Sequence, residues 1–223
     1  MEAKPLSRFP VPELNDMPDD IREQILAVQE RTGFIPNVFL VLAYRPAEFR
    51  AFMAYYTALM EKTDGLTKAE REMIVVATSA ANQCPYCVVA HGAVLRLRAK
   101  HAFLSDQLTV NYRQADITPR QRLMLNFALR VSQDAETIED SDVEALRQHG
   151  FSDDEIWDIG AISAFFAMSN RMASLTGMWP NEAFYTLGRH IPVQAPQIAP
   201  MATPVKASTK SGKGARKGKK VRA

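Results

Sequence analysis

Two cysteines are all that this 223-residue chain contains, and both fall within one four-residue window. They cannot form the disulfide framework of a small secreted domain, so the pair points to redox or metal chemistry instead. No stretch approaches the roughly 20 apolar residues that a membrane span requires, and the opening MEAKPLSRFPVPELNDMPDD lacks an uninterrupted apolar run. A cytoplasmic protein with no membrane contact is the expectation. Also missing is any segment of four or more alternating apolar and polar positions between turn signals, which argues against half-buried β-strands.

What is present is ordinary in bulk: 47% apolar and 23% charged residues, close to the averages of soluble globular proteins. The length suits one domain with one substantial core. The net charge of +2 misleads, because residues 206–222 hold eight basic side chains and no acidic one; the remaining 19 basic residues face 25 acidic ones, a balance of about −6. From Pro192 onward large apolar residues are nearly absent, and such a segment cannot offset the entropy of ordering. The expected organisation is a helical domain over 1–190 and a disordered basic tail over 191–223. Counterion release could draw the tail to nucleic acid, but no aromatic or recognition motif is interleaved, so nucleic-acid contact is not expected.

Helix signals recur along 1–190. Pro18 opens a helix with Ile21, Ile25 and Val28 on one face and Gly33 at its end. Pro36 and Pro46 suit first helical positions, for helices over 36–43 and 46–62. Thr67 with Glu70, Thr118 with Gln121, and Ser152 with Glu155 form capping boxes, predicting helices over 68–82, 119–133 and 153–176. A short helix from Asp140 is closed by Gly150. Phe165, Phe166, Met168 and Met172 read as packing, and Asn170 and Arg171, which interrupt that run, as members of a hydrogen-bond network or a subunit contact. His101 and His149 stand beside helix ends.

The chemistry concentrates in AANQCPYCVVAHGAVLRLRA. Cys84, Cys87 and His91 lie at offsets 0, 3 and 7, within about 60° of arc on a helix, and Pro85 suits the first turn of a helix over about 84–98. Backbone N–H groups and the helix dipole favour thiolate there. His91, four residues after Cys87, can take its proton, which makes Cys87 the expected attacking thiol; Cys84, nearer the helix end, competes for that role. The thiolate would displace one oxygen of a peroxide, leaving a sulfenic acid that the second cysteine closes to a disulfide. Glu72, on an apolar stripe, either partners His91 or points to water from the first turn of its helix. A zinc site over Cys84, Cys87, His91 and His101 is disfavoured by the ten-residue histidine spacing and the single CxxC, so no metal is expected.

Glu72, eleven residues, Cys84-Pro-Tyr-Cys87, three residues, His91 resembles the signature of the alkylhydroperoxidase D-like branch of the carboxymuconolactone decarboxylase superfamily. GFIPNVFLVLAYRPAEF upstream, with ITPRQRLMLNFALRV and VEALRQHGFSDDEIWDIGAISAFFAMSNRMASLTG downstream, resembles its peroxidase-related subgroup, so that about residues 10–190 are covered. The resemblance implies an all-α helical bundle, assembly into trimers or hexamers, and reduction of organic hydroperoxides or hydrogen peroxide. It also implies a cofactor-free disulfide cycle restored by a dithiol reductant such as a lipoyl, thioredoxin-like or peroxiredoxin-like group, with a relay of Glu72, His91, Cys87 and Cys84. Tyr86 stands where well-known members carry a histidine, so one proton carrier is missing. Two other functions compete: disulfide reduction of a peroxiredoxin-like partner, and non-redox lactone decarboxylation or isomerisation by His91 and Glu72.

Overall fold

The computed structural model describes residues 5–190; the basic tail expected to be disordered from 191 lies outside the described residues. The regular structure described is helical, with no strand among these residues. Helix α1 (Asp19–Thr32) follows Pro18, buries Ile21, Ile25 and Val28, and stops at Gly33 with a left-handed φ of 84°. Helix α2 (Asn37–Leu42) starts one residue later than expected, because Pro36 is its extended N-cap rather than its first residue. Pro46 is the first residue of α3 (Pro46–Met60).

The three capping boxes are all present and reciprocal, opening α4 (Lys68–Ala81), α7 (Pro119–Gln133) and α9 (Asp153–Thr176). Between them lie α5 (Pro85–Ala99) and α6 (Leu104–Asn111), then α8 (Asp140–Gln148) before α9 and the short α10 (Ala183–Thr186) after it. Helix α6 has no forerunner in the sequence reading: its N-cap is Phe103, with no side-chain cap bond. His149 caps α8, its Nδ1 lying 2.7 Å from the Ala145 carbonyl oxygen.

Helix α4 is buried without a break from Glu70 to Ser79, because α5, α6, α7 and α9 all pack on it. A helix enclosed on every side must find partners for its polar groups. Arg71, fully buried, donates to the carbonyls of Leu59 and Asp64 and to Asp158 Oδ2, each at 2.9 Å. It thereby ties the α3–α4 loop to α9. At its other end α4 turns sharply: Gln83 adopts φ 53°, and the Cys84 N–H donates to the Ser79 carbonyl at 3.0 Å. A left-handed residue other than glycine costs about 1 kcal/mol, and here it reverses the chain so that Cys84 becomes the N-cap of α5.

Candidate functional site

Cys84 and Cys87 are free thiols, both buried. Cys84 Sγ takes the place of a capping oxygen and accepts the Cys87 backbone N–H at 3.5 Å. The two sulfurs are therefore unequal. The hydrogen bond from the Cys87 side chain, helped by backbone N–H groups of Cys87 and Tyr86 and by the Asn170 amide, outweighs burial and brings the Cys84 thiol down to about 7. Its role as donor to Cys84, together with burial, pushes Cys87 up. Spacing to His91 singled out Cys87 as the attacking thiol, whereas the electrostatics of the turn favour Cys84 as the thiolate. Among the described residues, no hydrogen bond joins His91 to either sulfur.

His91 is anchored from the opposite side. Its Nδ1 lies 2.8 Å from Oε2 of Glu72, whose side chain is 0% exposed. Glu72 does not point to water: although it is near the start of α4, α5 covers that face. With Glu72 ionised the carboxylate only accepts, so Nδ1 carries the hydrogen and Nε2 is the free nitrogen. The Phe166 ring packs edge-on to the imidazole at 4.7 Å between centroids. The other carboxylate oxygen, Oε1, has no hydrogen-bond partner and lies 3.9 Å from Arg98 Nε. Arg98 follows His91 by seven residues, two turns along the same face of α5, a spacing from which the sequence could have identified it.

Behind the thiols stands a polar cluster. Asn170, 1% exposed, donates to Ser79 Oγ at 2.9 Å and accepts from Asn82 Nδ2 at 3.0 Å, while Ser169 Oγ lies 4.0 Å from Cys87 Sγ. The expected network therefore exists for Asn170. Arg171, one residue on and so about 100° around the helix, is exposed and, among the described residues, donates only to Ala167 of its own helix. Tyr86, between the cysteines, is buried, and its hydroxyl accepts the Val38 N–H at 3.1 Å, tying the thiol turn to α2. Among the described residues, no group of three or more His, Cys, Asp or Glu side chains is close enough together to hold a metal ion.

Cys84 opens onto a cavity of about 300 Å³ walled by Pro5, Ser7, Arg8, Tyr86 and Trp179 among others. Arg8 holds this wall in place: its backbone N–H donates to the Thr176 carbonyl at 2.8 Å, and its Nη1 donates to the carbonyls of Ser174 and Leu175, capping the end of α9. Gly177, with φ 71°, lets the guanidinium approach; a Cβ there would stand 3.2 Å from Arg8 Cζ.

Residues 46–102 match the carboxymuconolactone decarboxylase family. Among solved structures, an uncharacterized peroxidase-related protein from Ralstonia eutropha JMP134, described as an alkylhydroperoxidase AhpD core, is 62% identical over 85% of this chain and 100% of its own, with a TM-score of 0.83. A second peroxidase-related protein, from Silicibacter sp. TM1040, is 40% identical over 85% of this chain and 99% of its own, with a TM-score of 0.80. The debrominase Bmp8, at 17% identity over 86% of this chain and 99% of its own, shares the fold alone, with a TM-score of 0.66. No curated protein sequence matches the chain. The chain belongs to the peroxidase-related subgroup of the alkylhydroperoxidase D-like branch of the carboxymuconolactone decarboxylase superfamily. No helix among its described residues is long and apolar enough to cross a membrane.

Proposed function

We propose that this protein is a thiol peroxidase in which Cys84 and Cys87 cycle between dithiol and disulfide while His91 and Glu72 handle protons. The observation that carries the reading is the N-cap position of Cys84, a thiol brought to about 7 on the wall of the 300 Å³ cavity. Cys84 gives up its proton to His91 Nε2, the thiolate attacks the terminal oxygen of a hydroperoxide, the O–O bond breaks, and the imidazolium returns that proton to the leaving alkoxide. Cys87 then loses its proton and attacks the Cys84 sulfenic acid; the disulfide closes and water leaves. The two electrons removed from the thiols return from a cellular dithiol by exchange.

The debrominase shows that this fold also serves another chemistry, so the support for peroxide lies in the thiol pair. The apolar groove between α3 and α9, where Tyr55, Met168 and Leu175 stay exposed, supports self-association; that the assembly is a trimer or hexamer is proposed on the family resemblance alone, and that it is cytoplasmic on the sequence alone.

The test is a free-thiol count with intact mass before and after one equivalent of tert-butyl hydroperoxide. Rapid loss of two thiols without added oxygen supports the cycle, and a sulfenic acid trapped only in Cys87→Ser assigns the attack to Cys84. Trapping only in Cys84→Ser restores Cys87 to that role. Thiols no faster than free cysteine would remove the peroxidase reading and leave disulfide exchange with a peroxiredoxin-like partner as the next case.

A further inference from the structure

Glu72 stands near the inner end of a ladder of alternating charge that runs inward from solvent. Lys68 meets Glu61 at 2.6 Å, Glu61 meets Arg98 at 2.8 Å, Arg98 stands 3.9 Å from Glu72, and Glu72 binds His91 at 2.8 Å. Exposure falls along it: the Glu61 side chain is 41% exposed, that of Arg98 20%, and that of Glu72 0%. The groups facing the inner end are His91 and Arg98 from α5, Tyr56 from α3 and Glu61 just beyond α3; α9 contributes the apolar Phe166 ring against His91.

An ionised carboxylate at zero exposure must be compensated, or it takes up a proton. A neutral imidazole offers one hydrogen bond and no net charge. Among the described residues, Arg98 is the only Lys or Arg within 4 Å of Glu72, and it faces the oxygen that has no hydrogen bond. We propose that Arg98 is a positioning residue that keeps the buried Glu72 carboxylate ionised, thereby fixing the hydrogen of His91 on Nδ1 and leaving Nε2 free to exchange protons at the thiol site. Without that charge the favoured pair is the neutral one: Glu72 takes a proton from solvent and keeps it on its carboxyl, which donates a hydrogen bond to Nδ1, and the single imidazole hydrogen moves to Nε2. The number of protons on His91 is unchanged, but the nitrogen available as base is lost.

The inference rests on the proposed thiol role of His91 only for its effect on rate; the tautomer can be read without it. Long-range ¹H–¹⁵N correlation spectra of the full reduced chain, above the pH at which the imidazole is cationic, identify the protonated nitrogen. The expected results are Nδ1–H in the wild type, Nε2–H in Arg98→Gln, and a return to Nδ1–H in Arg98→Lys, with reaction toward tert-butyl hydroperoxide at least about tenfold slower in Arg98→Gln. Loss of packing alone would not move the hydrogen between nitrogens and back with charge. An Arg98→Gln spectrum still showing Nδ1–H overturns the proposal. Should that variant fail to fold, the wild type decides alone, since Nε2–H there overturns it too. A switched tautomer with an unchanged hydroperoxide rate would support the Arg98 assignment and remove His91 from the thiol reaction.

Discussion

Cys84 Sγ accepts the backbone N–H of Cys87 at 3.5 Å, so one cysteine caps the helix of which the other is a member. Reactivity should follow that inequality. Alkylation of Cys84 by iodoacetamide is expected to rise with pH through a midpoint near 7, since the thiolate is the nucleophile and its fraction grows as pH passes the thiol pKa. In Cys87→Ser the hydroxyl still donates, so the midpoint stays below that of an ordinary thiol. In Cys84→Ser the remaining Cys87 should react at least about tenfold more slowly at pH 7. Mass-resolved alkylation rates check all three; equal rates in the two single variants would show the thiols to be equivalent.

His91 and Glu72 can be separated from the thiols by choice of electrophile. Iodoacetamide releases iodide and needs no acid, whereas a hydroperoxide releases an alkoxide that does. His91→Asn and Glu72→Gln should therefore slow the hydroperoxide reaction by about 10²-fold, the usual scale of general acid catalysis, and change alkylation far less. Stopped-flow rates with both reagents on each variant give the comparison. A parallel fall in both rates would place the residues in thiol activation instead.

Asn170→Leu should unfold at lower urea. It removes the donor to Ser79 Oγ and the acceptor for Asn82 in a buried setting, and groups left without partners there cost about 1–3 kcal/mol. A two-state urea curve at constant m measures it. Asn170 also helps hold both sulfurs ionisable, so the alkylation midpoint of Cys84 should move upward in the same variant.

Gly177→Ala is expected to cost about 1–2 kcal/mol, because an L-residue is placed in the left-handed conformation that ends α9. The added methyl also meets Arg8, so the cavity wall over Cys84 should loosen. Cys84 should then react faster with a bulky disulfide reagent than it does in the wild type. Slower reaction would mean that Arg8 had been pressed into the cavity rather than out of it.

The parts of this molecule that could be read in advance are those set by neighbours in sequence. Thr67 and Glu70, Thr118 and Gln121, and Ser152 and Glu155 each complete a cap within four residues, so the starts of α4, α7 and α9 are visible in the chain. The spacing of Cys84, Cys87 and His91 is local in the same sense. Helix α6 is not, since Phe103 makes no cap bond and its place is set by packing on α4 and α5. Arg71 finds Asp158 across 87 positions, and a fully buried arginine leaves no mark on its own segment. The inequality of the two thiols was legible only in part: the place of Cys84 near the helix end is visible in the chain, but the left-handed Gln83 that makes its sulfur the cap acceptor is not. The same turn gives Tyr86 a partner at Val38, where the resemblance had only marked a missing histidine.

The position of Arg8 has a practical side. Pro5, Ser7 and Arg8 help to wall the space in front of Cys84, and Arg8 is fastened to the last turn of α9 by three hydrogen bonds. An affinity handle fused just ahead of this stretch would alter the entrance to the reactive sulfur while leaving the helical core untouched, whereas a protease cut within it would also release the last turn of α9. Preparations differing only in their first few residues would then give different thiol kinetics with identical melting curves, so handles are better placed elsewhere on the chain.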